Sequence, residues 1–154
     1  MERLRHLSPS SAEILRAVIA AIRPRGHGFD QPIDEDVLVE IDRTMPFVPA
    51  PLRRTMPIGL RLLEWSPLLC GAGATRLTRM PREAALPYLE RWLESRAAPR
   101  RVLLLGLRAL IYIAFYQHPD VLRSMGVAWE DRVAVTARLR ADSLGARGID
   151  ADPR

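Results

Sequence analysis

Three histidines, a run of three acids and one pair of closely spaced glycines are the residues in this 154-residue chain whose types could do chemistry. None of His6, His27 and His118 has a second His or Cys at the three- or four-residue spacing that turns two ligands to one face of a helix. His27 and Asp30 fall in one loop, but two weak ligands do not define a metal site. His27 therefore reads as a solvated loop histidine and His118 as a helix-terminus residue. Asp34, Glu35 and Asp36 hold carboxylates enough for acid–base work, yet they open a helix, where negative charge suits the dipole. Gly71 and Gly73 of GAGATR begin like a dinucleotide fingerprint, but Arg76 fills the last glycine position and no strand pattern precedes it. A Gly-x-Ser-x-Gly elbow is absent, and the lack of any lysine excludes a phosphate-binding Gly-Lys-Ser loop. Cys70 is alone, so neither an intrachain disulfide nor a cysteine-built zinc site can form. The expectation is a chain with no catalytic residue, no metal and no cofactor of its own, which acts by binding.

The elements that would carry these residues are helices. Apolar residues make up 48% of the chain and charged ones 27%, the balance of an ordinary globular domain. Thirteen prolines fall mostly where helices would begin or end. Leu7 to Ile22 reads as a first helix with Ser8 as N-cap, Pro9 at its first position and the Ser10–Glu13 spacing of a capping box. Ile14, Val18, Ala21 and Ile22 form its apolar stripe and leave Glu13, Arg16 and Arg23 for solvent. After a loop from Arg23 to Pro32, a second helix runs from Asp34 to about Met45 and buries Val37, Leu38, Ile41 and Met45. A third covers about Ala50 to Trp65, with Leu52, Met56, Gly59, Leu60 and Leu63 on one face and Pro57 bending or shortening it.

The stretch from Ser66 to Pro81 reads as loop, with one helical turn around Leu68. A fourth helix follows from about Pro81 to Arg96, burying Ala85, Leu86, Leu89, Trp92 and Leu93, with Pro87 inside it as an unexplained fault. The fifth, from about Pro99 to Gln117, holds the run VLLLGLRALIYIAFY, apolar all round except for Arg108, and should be the central helix of the core. At 15 residues, with Arg108 near its middle, that run is too short and too charged to span a bilayer. Pro119 opens a short helix closed by Gly126, and Glu130 to Leu144 reads as a charged last helix before a disordered tail. The predicted architecture is all-α: a single compact domain over 1–128, of about five to seven helices around an apolar helix at 102–116, followed by a charged segment over 129–154.

All 23 basic residues are arginine, as in a GC-rich bacterial genome, and the net charge is +5. Arginines are scattered among 18 acids, so they give no nucleic-acid footprint. The opening MERLRHLSPSS lacks the apolar stretch of a secretory signal, which points to a soluble cytoplasmic protein. One segment stands out: WLESRAAPRR, from Trp92 to Arg101, sets an aromatic ring and arginines around the joint between two apolar helices. Trp and Arg are enriched at binding hot spots.

From this segment onward the sequence resembles the C-terminal half of the gluconate 2-dehydrogenase small-subunit family. The order is Trp92, then Ser95 and Arg96, the basic pair Arg100-Arg101, a long apolar helix, Tyr116 and Pro119, closing on Met125-Gly126. The opening LSPSSAEILRAVIAAIRP is similar to the family's first helix, so the likeness spans about residues 7 to 127. It implies a non-catalytic small subunit that binds and stabilises a large oxidoreductase of the glucose-methanol-choline type, in a hetero-oligomer whose large subunit carries FAD. Trp92, Ser95, Arg96, Arg100, Arg101, Tyr116 and Pro119 are then the expected partner interface. Many family members open with a twin-arginine export signal. None is seen here, so the complex is expected in the cytoplasm unless the partner carries the signal. The alternative is a free-standing helical module for a small apolar ligand or another protein, with Arg108 facing a pocket.

Overall fold

The computed structural model describes residues 4–25, 29–69 and 75–126, with only the backbone of Leu69. Its described residues form six α-helices and two 3₁₀ turns and contain no strand, an all-α fold. Helices α1 (Pro9–Ile22), α2 (Asp34–Thr44), α3 (Ala50–Leu69), α4 (Arg82–Leu93) and α5 (Ala98–Gln117) belong to one compact unit that ends at His118. The short α6 (Pro119–Ser124) opens a second unit. His27, Cys70, the two glycines of GAGATR and the segment expected to carry the charged last helix lie outside the described residues.

Helix α1 packs against all four of its neighbours in the unit, α2, α3, α4 and α5. Leu15, Val18 and Ile19 on it are fully enclosed. Each such burial is worth about 1.5–3 kcal/mol. The helix starts at Pro9, whose missing N–H would be unsatisfied there in any case, and Ser8 accepts from the Ser11 amide at 3.2 Å. The cap thus pairs Ser8 with Ser11, and the expected Ser10–Glu13 box is not the one used. Arg23 also departs from its expected solvent position: it is 5% exposed, with Nε 2.8 Å from Asp34 Oδ1 and an Nη1 bond to the Gln31 carbonyl. A charge taken out of water needs such partners, and the Gln31 carbonyl and the first residue of α2 supply them.

Helix α2 buries Val37, Leu38 and Ile41, with Met45 buried just beyond its end, as their spacing predicts. Helix α3 is longer than expected, continuing through Pro57 and Pro67 to Leu69. Pro67 has no N–H to give the Leu63 carbonyl, and the buried Tyr88 hydroxyl of α4 donates to that carbonyl at 2.7 Å instead. Ser66 Oγ joins the same buried chain through a hydrogen bond with Tyr88. Pro87 is accommodated more simply. It and Glu83, whose carbonyl loses its donor, are both exposed, so water can take the bond. On α4, Tyr88 takes the core place expected of Leu86, which is exposed, while Leu93 is only half-buried.

Helix α5 buries one face: Leu104, Leu107, Ile111, Ala114 and Phe115. Its other face is not covered, contrary to the expectation of a helix enclosed all round. Val102 is 59% exposed, Leu105 55% and Ile113 51%. In the second unit, Gly126 follows α6 with φ of 68°, a left-handed conformation that glycine adopts without the Cβ clash. No helix among the described residues is long and apolar enough to cross a membrane.

Candidate functional site

Two exposed apolar stripes lie on α3 and α5. Ile58, Leu62, Trp65 and Leu68 recur at steps of three and four along α3, and Val102, Leu105, Ile113 and Tyr116 fall on one side of α5 at steps of three, eight and three. Both helices therefore carry a buried stripe and a second, solvent-facing one. Scattered exposed apolar residues are ordinary, but aligned rows of this kind mark interaction surfaces.

A groove of about 470 Å³ opens between these helices, with Ile58, Leu62 and Trp65 of α3 facing Val102 and Leu103 of α5. Trp92 of α4 and Arg100 also line it. Gly59 permits the close approach of the walls, because a Cβ there would fall 2.8 Å from the Leu103 methyl groups. Ser66, held by Tyr88, is the groove's buried polar member. As Tyr88 gives its single proton to the Leu63 carbonyl, Ser66 is left to donate to Tyr88.

Charge on this face has one sign. Along α3 and α5 the arginines are Arg53, Arg54, Arg61, Arg100, Arg101 and Arg108, and the one acid is Glu64. Glu64 is buried and accepts from the Thr78 amide and hydroxyl at 3.0 and 2.7 Å, which ties the Leu77–Arg79 turn to α3. Arg54, Arg61, Arg100 and Arg108 are exposed, and they meet no carboxylate among the described residues. Arg76 stacks its guanidinium 3.8 Å from the centre of Trp65, and Arg100 lies 5.4 Å from that of Trp92.

The interface residues expected from the sequence divide into three places. Trp92, Ser95, Arg96, Arg100 and Arg101 gather at the α4–α5 joint, where the Ser95 carbonyl accepts from Arg101 Nη1. Trp92 itself is buried edge-on against Tyr88, with ring centres 6.3 Å apart. Tyr116 stands at the far end of α5, about 24 Å along the axis from Arg100 at 1.5 Å per residue. Pro119 opens α6 in the other compact unit. Arg108 does not line this groove: it is exposed over the Tyr112 ring, at 5.1 Å. The exposed tryptophan of the groove, Trp65, was missed together with Ile58 and Leu62. Their steps of four and three beside the buried Met56–Leu60–Leu63 row were the available signal.

The acidic start of α2 is a contrasting place, where each of the three acids lies beside a basic side chain. Asp34 meets Arg23, Glu35 accepts from Arg16 Nε and Nη2 at 2.6 and 3.1 Å, and Asp36 lies 3.6 Å from His118 Nε2. The Glu35 hydrogen bond holds the Arg16 guanidinium more firmly protonated than usual. Asp42, 3% exposed, accepts backbone N–H bonds from Arg5, His6 and Leu7 at 2.7–2.9 Å. Burial pushes its carboxyl up, but the three amide donors and nearby His6 outweigh that and hold it below the ordinary carboxylate range. These acids fasten the N-terminal segment and the helix start. Among the described residues no group of three His, Cys, Asp or Glu side chains could hold a metal ion.

Fold and site together define a class: an all-α body with an apolar groove rimmed by arginine. Comparison with protein-family models, with curated proteins and with solved structures finds no match to this chain.

Proposed function

We propose that this chain is a non-catalytic accessory subunit that stabilises a larger protein by binding its folded form through the α3–α5 face. The observation that carries this reading is the pair of exposed apolar stripes beside four arginines that meet no carboxylate among the described residues. A subunit that binds only the folded state of its partner raises the partner's stability by mass action and needs no reaction centre. Trp and Arg, residue types often found at hot spots, both line the groove in Trp65 and Arg100, and an exposed Tyr116 stands further along α5. For the partner, the resemblance of residues 7 to 127 to gluconate 2-dehydrogenase small subunits supports a large FAD-dependent oxidoreductase of the glucose-methanol-choline type. The flavin and the catalytic residues then belong to that partner.

Co-expression with a flavoprotein encoded beside this chain tests the reading. The expected result is a stable complex that buries more than about 1,600 Å² and a higher yield of folded flavoprotein. A small chain that purifies alone and leaves that yield unchanged contradicts it. Reversing the charge of Arg96, Arg100 and Arg101 together should weaken the complex. An intact complex would move the contact away from the α4–α5 joint.

The groove volume favours one second reading, a free-standing module for a small apolar ligand. Native mass spectrometry of the purified chain separates the two, since a retained small molecule supports the ligand and an empty chain supports the subunit.

A further inference from the structure

We infer that the α3–α5 groove receives an amphipathic helix of the partner protein whose flanks are acidic. This rests on reading the face as a partner-binding surface and adds the chemistry of what binds there. Three observations converge on it. Along α3 the lining of the groove runs from Leu52 to Ser66, about 21 Å at 1.5 Å per residue, a length matched by three or four helical turns. Between this row and Pro99 to Leu103 of α5 the surface is concave, with Gly59 and Leu103 in close approach, the shape into which the apolar side of a helix lies. And the charge is one-sided: Arg61 sits three residues after Ile58 and four before Trp65, next to the α3 stripe, while Arg100 lies on the groove's α5 side.

An occupant with leucine-like residues toward the groove and Glu or Asp along its edges would meet both requirements. A basic helix would be repelled, because the one acid on either wall, Glu64, is buried and already bonded to Thr78. Complementary charge of this kind mainly sets partner choice and association rate, while apolar burial supplies the affinity. A flat anionic membrane shares the charge but would leave the concavity unfilled, so the groove shape favours the helix.

The test uses the full chain and two fluorescein-labelled synthetic peptides of one amphipathic design. Both place leucines at helical spacing, one with glutamates on the flanks and the other with lysines. Fluorescence anisotropy at low salt should give the Glu peptide roughly tenfold or greater preference, shrinking as salt is raised. The double substitution Arg61→Glu and Arg100→Glu should reverse the order, and Leu62→Asp should remove binding of both. All three residues are exposed, and unchanged circular dichroism confirms that the variants fold. Equal affinity for the two peptides, no binding of the Glu peptide, or an unreversed preference overturns the inference. Vesicles of phosphatidylglycerol and phosphatidylcholine supply the remaining arm. Binding to them that exceeds binding to the Glu peptide and is lost in Leu62→Asp overturns the inference in favour of a lipid surface. A chain that selects the Glu peptide but ignores the flavoprotein keeps the acidic helix and loses the proposed partner. One that binds the flavoprotein but takes both peptides alike does the reverse.

Discussion

The α1–α2 side and the α3–α5 side of this unit use arginine in opposite ways. On the first, Arg16 and Arg23 end on Glu35 and Asp34, and Asp42 collects three backbone amides. On the second, Arg54 and Arg61 end in solvent, Arg100 over a tryptophan and Arg108 over a tyrosine, beside rows of exposed leucine, isoleucine and valine. Self-contained polar networks hold a fold together, whereas exposed apolar rows with unanswered charge await another surface. The difference teaches that net charge, +5 over the whole chain, was the wrong scale at which to judge its arginines.

Removing one partner from the buried pair is the most severe way to break the first side. Arg23→Ala takes the ion-pair partner from Asp34 and the donor from the Gln31 carbonyl and should cost about 3 kcal/mol in chemical denaturation. Binding through the α3–α5 face should be unaffected in the fraction that stays folded. Asp42→Asn comes next, at about 1–3 kcal/mol, since one amide group cannot accept three N–H bonds with a carboxylate's charge.

Acid should reproduce that second effect. A carboxyl whose folded pKa is depressed contributes stability that is present above its unfolded pKa and lost as pH falls through the folded value. Thermal unfolding followed downward from neutral pH should therefore show a loss below the ordinary carboxylate range that is smaller in Asp42→Asn. An equal loss in both proteins would remove Asp42 as its source.

Tyr88→Phe acts on the fold and the groove together, because it strips the donor from the Leu63 carbonyl at Pro67 and loosens Ser66 at the groove. About 1–2 kcal/mol should go, together with some affinity for the partner. Least costly to the fold is Leu62→Asp, an exposed change expected to stay within about 0.5 kcal/mol. Its effect should appear in binding alone, which sharpens the comparison from the other direction.

The α2 stripe was legible in the sequence because its apolar and polar residues alternate with a helical period on a half-buried helix. On α5 the same method could not separate buried Leu104 from exposed Leu105, since periodicity is blind where nearly every residue is apolar. Arg23 was misjudged because its partner lies beyond a loop and only chain reversal brings Asp34 to it. Likewise, the third helix was expected to stop near Trp65, because the donor that makes up for the missing N–H of Pro67 comes from Tyr88, on another helix. Trp92 and Arg100 were visible through composition. The opposite groove wall was not, because Ile58, Leu62 and Trp65 lie on a helix whose core stripe had already been accounted for.

The central claim is that the uncovered α3–α5 face is the working surface of this protein. Sedimentation velocity of the co-expressed flavoprotein complex, carrying Leu62→Asp together with Leu105→Asp in the small chain, tests it most directly. The predicted result is a small chain with unchanged circular dichroism and melting temperature that sediments apart from its partner. Co-sedimentation at wild-type affinity would contradict the claim.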